Sequence, residues 1–241
     1  LRGDMIPSHY AGRNPNQPQP LGLNVAVATD QRVWPIRVNP GVNRGYRADH
    51  LRDGRLAAFT SACAPLIYRG DLLPPEFRGN AFVCEPAANL VRRNLLIERD
   101  GIVTAANAHP RAEFLASTDE RFRPVNLANG PDGALYIVDF YRGIIEHKLS
   151  LTSYLREQIL DRGLDRHLHL GRIYRVVPDG ARRRPTEKMT RAPARELVAR
   201  LAHPNGWWRD TAQRLLVERG GTDAGPALRA LAGGGSPLGR V

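Results

Sequence analysis

A chain of 241 residues with 42% hydrophobic content is long enough to bury a substantial core, and no apolar run approaches the length needed to cross a bilayer. The formal charge of +11 would ordinarily suggest a polyanion partner. Only two of the 35 basic residues are lysines, Lys148 and Lys188, and the arginines are scattered apart from Arg182-Arg183-Arg184. No zinc finger, helix-turn-helix or RNA-binding signature accompanies them, so the reading is no nucleic acid and a GC-rich coding bias.

Residues 1–50 read as loop-rich. Asn14 to Pro20, with three prolines, excludes a regular helix or a central strand. Leu23 to Ala28 reads as a strand, and Trp34 to Gly41 as an extended segment that turns. From Leu56 onward short strands alternate with turns: Leu56–Thr60, Pro65–Tyr68, Ala81–Glu85, Asn89–Ile97, Ile102–Ala106, Glu113–Ala116, Val125–Ala128, Ala134–Phe140 and Arg172–Val177. Such even spacing predicts a closed or radially repeated sheet rather than βαβ units.

The two cysteines, Cys63 and Cys84, fall near successive strands. They pair as a disulfide in an oxidising compartment, or they serve as two small buried hydrophobes. Neither lies in a CxxC or CxxCH, which excludes a zinc ribbon and c-type haem attachment in this segment.

Phe122 to Arg142 is the stretch around which the chain is organised. Gly130-Pro131-Asp132-Gly133 is a tight-turn signal, because proline presets φ and Asp-Gly tolerates φ > 0. The apolar strand after it ends in Asp139, Tyr141 and Arg142, and this suits either a binding site or ordinary loop chemistry. Sliding the sequence by 54 residues places Gly79–Glu85 on Gly133–Asp139, each copy running from a glycine through an apolar strand to a carboxylate. The next strand begins at Asn89 in the first copy and at Gly171, 82 residues on, in the second. The difference marks an insertion from about Gly143 to Leu170, whose helix is capped by Thr152 or Ser153 and leaves at Gly163. Asp-Gly pairs at 53 and 100, and at 132 and 179, are each 47 apart, which suits propeller blades of about 40–45 residues with long loops.

Residues 179–192 read as an Arg- and Pro-rich linker. Ala194–Leu201 and Trp207–Arg219 then carry helical periodicity, broken by His203-Pro204-Asn205-Gly206, and a third helix opens at Asp223 or Gly225-Pro226. A helical hairpin of this rhythm resembles a HEAT repeat, which needs neighbours to bury its face. With no initial methionine, and with Gly233-Gly234-Gly235 soon after a helical start, the sequence reads as a piece of a longer protein.

Cys63–Gly70, Gly79–Val91, Phe114–Ser117, Phe122–Asn126, Gly130–Arg142, Ile145-Glu146-His147 and Gly171–Arg175 together resemble a bacterial group of membrane-bound dehydrogenases. The propeller of that group is similar to the soluble quinoprotein glucose and sorbosone dehydrogenases. The resemblance covers roughly Gly41 to Leu216. It implies later blades of a β-propeller over residues 1–178, the linker, and an incomplete HEAT-like array over 193–241. It further implies a quinoprotein-like sugar or alcohol dehydrogenase domain of an exported, periplasmic electron-transfer protein. That domain would use pyrroloquinoline quinone (PQQ) and Ca²⁺, with a c-type cytochrome as electron acceptor and haem confined to a domain outside this chain.

On that resemblance, Arg123, Asn126, Tyr141 and Arg142 are the candidates to hold a tricarboxylate quinone, and Glu85 and Asp139 to hold calcium. No histidine matches the family's catalytic base; His167-x-His169 reads as an unspecific pair on one side of a strand. The alternative is a non-catalytic propeller and HEAT scaffold that binds glycans or protein partners.

Overall fold

A computed structural model describes residues 27–39, 50–182, 184–220, 222–234 and 238. The proline-rich segment and most of the Leu23–Ala28 strand expectation lie outside the described residues, as do Arg183 and Asn43 to Tyr46. The described chain is a mixed fold, with strands in curled sheets and a helical C-terminal part. Its strands are β1 (Leu51–Arg52), β2 (Arg55–Leu56), β3 (Cys63–Ile67), β4 (Ala81–Glu85), β5 (Leu90–Arg99), β6 (Ile102–Asn107), β7 (Leu115–Ala116), β8 (Pro124–Asn129), β9 (Leu135–Asp139) and β10 (Arg172–Val176). Its helices are α1 (Ser153–Asp161), α2 (Ala194–Arg200), α3 (Gly206–Glu218) and α4 (Gly225–Gly233). One sheet has the order β3-β4-β5-β6, with β7 also on β5, and another the order β10-β9-β8.

The chain divides into two compact units that interleave along the sequence. One comprises Leu1–Pro65, Asn80–Val125 and Phe140–Gly171; the other comprises Leu66–Gly79, Asn126–Asp139 and Arg172–Val241.

In the first unit the turns are set by Asp-Gly pairs. Asp53 and Gly54 have φ of 52° and 72°, and Asp100 and Gly101 have 52° and 76°. Two consecutive positive φ values make the tight hairpins β1–β2 and β5–β6, in which Arg52 pairs Arg55 and Arg99 pairs Ile102. Val33, Leu56, Ala88 and Leu90 form a core cluster with Phe59, Ala87 and Ala116 packed against it. Beside it lies a fully buried ion pair. Arg92 Nε donates to Glu113 Oε2 at 2.9 Å, its Nη2 bonds Glu113 Oε1, and both side chains are at most 2% exposed. The remaining capacity is filled by the main chain. Arg92 Nη2 donates to the Arg32 carbonyl at 2.6 Å, and Glu113 Oε1 accepts the Trp34 N–H at 2.9 Å. The pair therefore ties the extended segment around Trp34 to β5.

The insertion belongs to this unit. Thr152 caps α1 by accepting the Leu155 N–H, and the chain leaves it through Gly163 at φ 57°. Leu155, Ile159 and Leu164 form its small core. His167 and His169 lie just beyond, at φ 61° and 66°. That left-handed backbone is not a strand, so the expectation of two rings on one strand face is corrected.

The second unit is built on the Gly130–Gly133 turn. Gly130 N–H bonds Ala134 O, and Gly133 N–H bonds Gly130 O. Tyr68 is fully buried; its hydroxyl donates to Gly133 O at 2.5 Å and accepts the N–H groups of Leu72 and Leu73. The helices close on the same turn. Asn205 Nδ2 donates to Gly130 O and Pro131 O, its Oδ1 caps α3 at the Trp207 N–H, and the Trp208 indole donates to Pro131 O at 2.7 Å. Trp208, Ala212 and Leu215, on one face of α3, pack with Leu197 and Met189. The supposed linker thus supplies a core residue, and Arg219 binds the carbonyls of Met189, Thr190 and Ala192.

Asp132 in this turn yields a pH prediction. Burial opposes its charge, but the Arg175 guanidinium, the Ala134 amide and the Tyr136 hydroxyl together hold it below its ordinary value of 3.8. A depressed carboxylate gives stability that is complete above the ordinary value and is lost as pH falls through the folded one. Urea midpoints measured from about pH 5 to about pH 2 are expected to fall more steeply in the wild type than in Asp132→Asn. Parallel profiles would refute this.

Candidate functional site

The internal repeat is realised strand for strand. β4 and β9 occupy the same positions in their copies, 54 residues apart, and Gly79 and Gly133 precede them at φ 80° and 85°. In the first copy Glu85 pairs Leu90 and Cys84 pairs Val91; in the second Asp139 pairs Arg172 and Val138 pairs Ile173. Both carboxylates are buried at the end of their strand, at 0% and 1% exposure. Glu85 belongs to the first unit and Asp139 to the second.

Glu85 is bound by the main chain. Its Oε2 accepts the N–H groups of Thr60 and Ser61, both at 2.9 Å, and its Oε1 accepts that of Ala87 at 3.2 Å. Burial pushes its carboxyl up, against the pull of those three amides. Arg123 is bound likewise: Nε to Arg142 O, Nη1 to Pro86 O and Nη2 to Gly143 O, at 2.7–3.0 Å. These side chains staple loops to one another. Arranged so, neither Glu85 nor Arg123 fits the calcium or quinone role that the resemblance implies.

Asn126 is exposed on β8, its Oδ1 accepting the Leu127 N–H. Tyr141 sits at φ 48°, and the Arg142 guanidinium lies 5.6 Å from the Phe140 ring centroid. Among the described residues no group of three or more His, Cys, Asp or Glu forms a metal-ligand set.

Two features went unread in the sequence. The first is Asn89, fully buried at φ 58°, whose amide donates to the carbonyls of Glu120 and Phe122 and accepts from Arg37. An Asn just after a Pro-Ala-Ala turn is the signal that could have found it, because Asn tolerates the left-handed region. Arg37 and Arg162 both reach the Glu120 carboxylate, closing the network on the insertion.

The second is a cleft of about 300 Å³ within the second unit, lined by Arg69, Leu201, Arg209, Asp210, Leu216 and Val217 among others. Arg69 forks onto Asp210 at 2.8 and 2.9 Å. Arg209 and Arg78 both bond the Pro204 carbonyl, and Arg209 also bonds His203 O. Burial, then the charges of Arg69 and Arg78, lower the pKa of Arg209. The result is apolar helix surface edged by the Arg69–Asp210 ion pair and Arg209, and Val217 is 75% exposed. These residues lie far apart in sequence, so no local motif announces them.

Cys63 on β3 and Cys84 on β4 are both free thiols on neighbouring strands of one sheet; Cys84 is buried, and Cys63 Sγ lies 3.8 Å from the Val125 carbonyl oxygen.

Fold and site together define a protein of mixed class, with curled sheets that carry two hairpins of matching register, a helix between β9 and β10, and a helical C-terminal part. Residues 2–180 match the family model described as a domain of unknown function, DUF7133, and the chain belongs to that family. No curated protein and no solved structure matches the chain. No helix among the described residues is long and apolar enough to cross a membrane.

Proposed function

We propose that this chain is a non-catalytic scaffold, a run of propeller-type blades followed by the start of a HEAT-like array, which binds a protein partner through the cleft beside α3. The observation that carries this reading is the commitment of Glu85 and Arg123 to main-chain groups. Groups reserved for a cofactor keep their charged atoms available for it, whereas these are spent on loops. The cleft supplies what a protein partner requires: apolar helix surface from Leu201, Leu216 and Val217, suited to the apolar face of an amphipathic helix.

A second reading, a quinoprotein-like dehydrogenase domain of an exported electron-transfer protein, is favoured by the duplicated glycine-to-carboxylate hairpins and the resemblance carried by them. Equilibrium dialysis of the chain against PQQ with Ca²⁺ separates the two. The scaffold reading expects no stoichiometric uptake and no dye reduction with aldoses or alcohols. Saturable uptake, weakened by Arg142→Ala, would replace it with the dehydrogenase reading.

A further inference from the structure

The turn between α2 and α3, in the second unit, holds a histidine whose two charge states require different partners. His203 hangs on the end of α2, its N–H bonded to the Arg200 carbonyl. Its Nδ1 accepts the Asn205 N–H at 3.0 Å. A ring nitrogen that accepts carries no proton, so this bond belongs to the neutral imidazole with its proton on Nε2. Asn205 is buried and joins three features of the unit. Its Oδ1 caps α3, and its Nδ2 holds the Gly130 and Pro131 carbonyls of the turn. Charged groups surround the ring. α2 contributes Arg200, and α3 contributes Arg209, which also binds the His203 carbonyl; the 69–78 segment brings Asp71 and, at Pro204 O, Arg78. Burial, with Arg200 and Arg209, keeps the pKa of the ring below the ordinary 6.5 against the pull of Asp71. Asp71 gives its Oδ2 to Arg184, whereas its Oδ1 is buried and accepts no hydrogen bond among the described residues.

We propose that His203 is an acid-operated latch: on protonation it releases Asn205 and turns to Asp71, which loosens α3 from the Gly130–Gly133 turn. Protonation places an N–H on Nδ1 opposite the Asn205 N–H, two donors with no acceptor between them. The imidazolium requires an acceptor, and the Asp71 carboxylate, whose charge already acts on the ring, has an oxygen to give it. Once its own N–H is released, Asn205 no longer sits fixed at the start of α3, and its cap and both turn contacts weaken together. The direction with pH follows from the lowered ring. Its contribution to stability is complete above the ordinary value and is lost as pH falls from there toward the folded one, because the unfolded chain takes up the proton first. The consequence for the cleft beside α3 rests on the reading that a partner binds there: Leu201 and Arg209 line it, so the latch regulates that site.

The test is a pH series on the folded chain, from about pH 7.5 to about pH 5. Ring-nitrogen chemical shifts of His203 report which nitrogen carries the proton. Hydrogen exchange, corrected for its intrinsic pH dependence, reports the α3 cap. Expected at the upper end is a proton on Nε2 alone, and at the lower end corrected exchange at Asn205 and Trp207 at least about tenfold faster. His203→Asn should keep the protection seen at high pH and abolish the acceleration, because an asparagine side chain bonds the N–H two residues on and does not titrate. The proposal is overturned if Nδ1 already carries the proton at the upper end, if protection at Asn205 and Trp207 is equal at both ends, or if His203→Asn accelerates as the wild type does. The first two outcomes are read on the wild type and decide the matter even if the variant fails to fold. No readout involves a partner, so failure here is distinct from failure of the cleft to bind one.

Discussion

Glu113→Gln should lower the unfolding free energy by about 3–5 kcal/mol, the largest loss from any single polar change in the first unit. The reason is the burial of its partner. Arg92 is 2% exposed, and once the carboxylate is neutral its guanidinium is an uncompensated charge in a dry setting. The penalty lies in the stranded charge, not in the lost attraction. It follows that Arg92→Met with Glu113→Leu should recover much of the loss, although the Trp34 N–H and the Arg32 carbonyl then lose their partners. Urea unfolding of the wild type, the single variant and the double variant checks both statements. A single variant within about 1 kcal/mol of wild type would mean that the pair behaves as a solvated one.

Gly133→Ala is the second severe change, and Gly79→Ala is its internal control. Both glycines hold nearly the same positive φ in equivalent positions of the repeat. A methyl on Gly79 meets nothing within 4 Å, so that variant pays only the backbone cost of about 1–2 kcal/mol. A methyl on Gly133 would stand 2.2 Å from Asp71 Oδ1 and 2.9 Å from the Leu72 nitrogen. Relief requires moving the 71–72 backbone, and with it the amides that Tyr68 holds. Gly133→Ala is expected to cost clearly more than its counterpart, and to speed hydrogen exchange at Leu72 and Leu73. Equal thermal shifts for the two variants would show that the 71–72 segment yields freely.

The two changes differ in how far they could be foreseen. Gly133 stood out in the sequence because Pro-Asp-Gly before a β-branched run has few conformational options, and the 54-residue offset paired it with Gly79. Nothing around Arg92 or Glu113 marked them as partners: they are 21 residues apart, on segments whose local patterns are indifferent to each other.

The same division holds for the candidate site. Local chemistry determined the strands, the Asp-Gly turns, the Thr152 cap and the register of the duplicated hairpins, because backbone preference and side-chain alternation act over a few residues. Glu85 and Arg123 could be identified as charges at strand ends, but a sequence does not say whether such charges face a ligand or a neighbouring loop. That is decided by which amides and carbonyls the tertiary structure brings to them, since a buried carboxylate or guanidinium takes whatever partners lie within hydrogen-bond reach. In this protein the partners are the amides of Thr60, Ser61 and Ala87 and the carbonyls of Pro86, Arg142 and Gly143. The cleft beside α3 and the Asn89 network were likewise set by packing between segments distant in sequence, where local propensity has no reach.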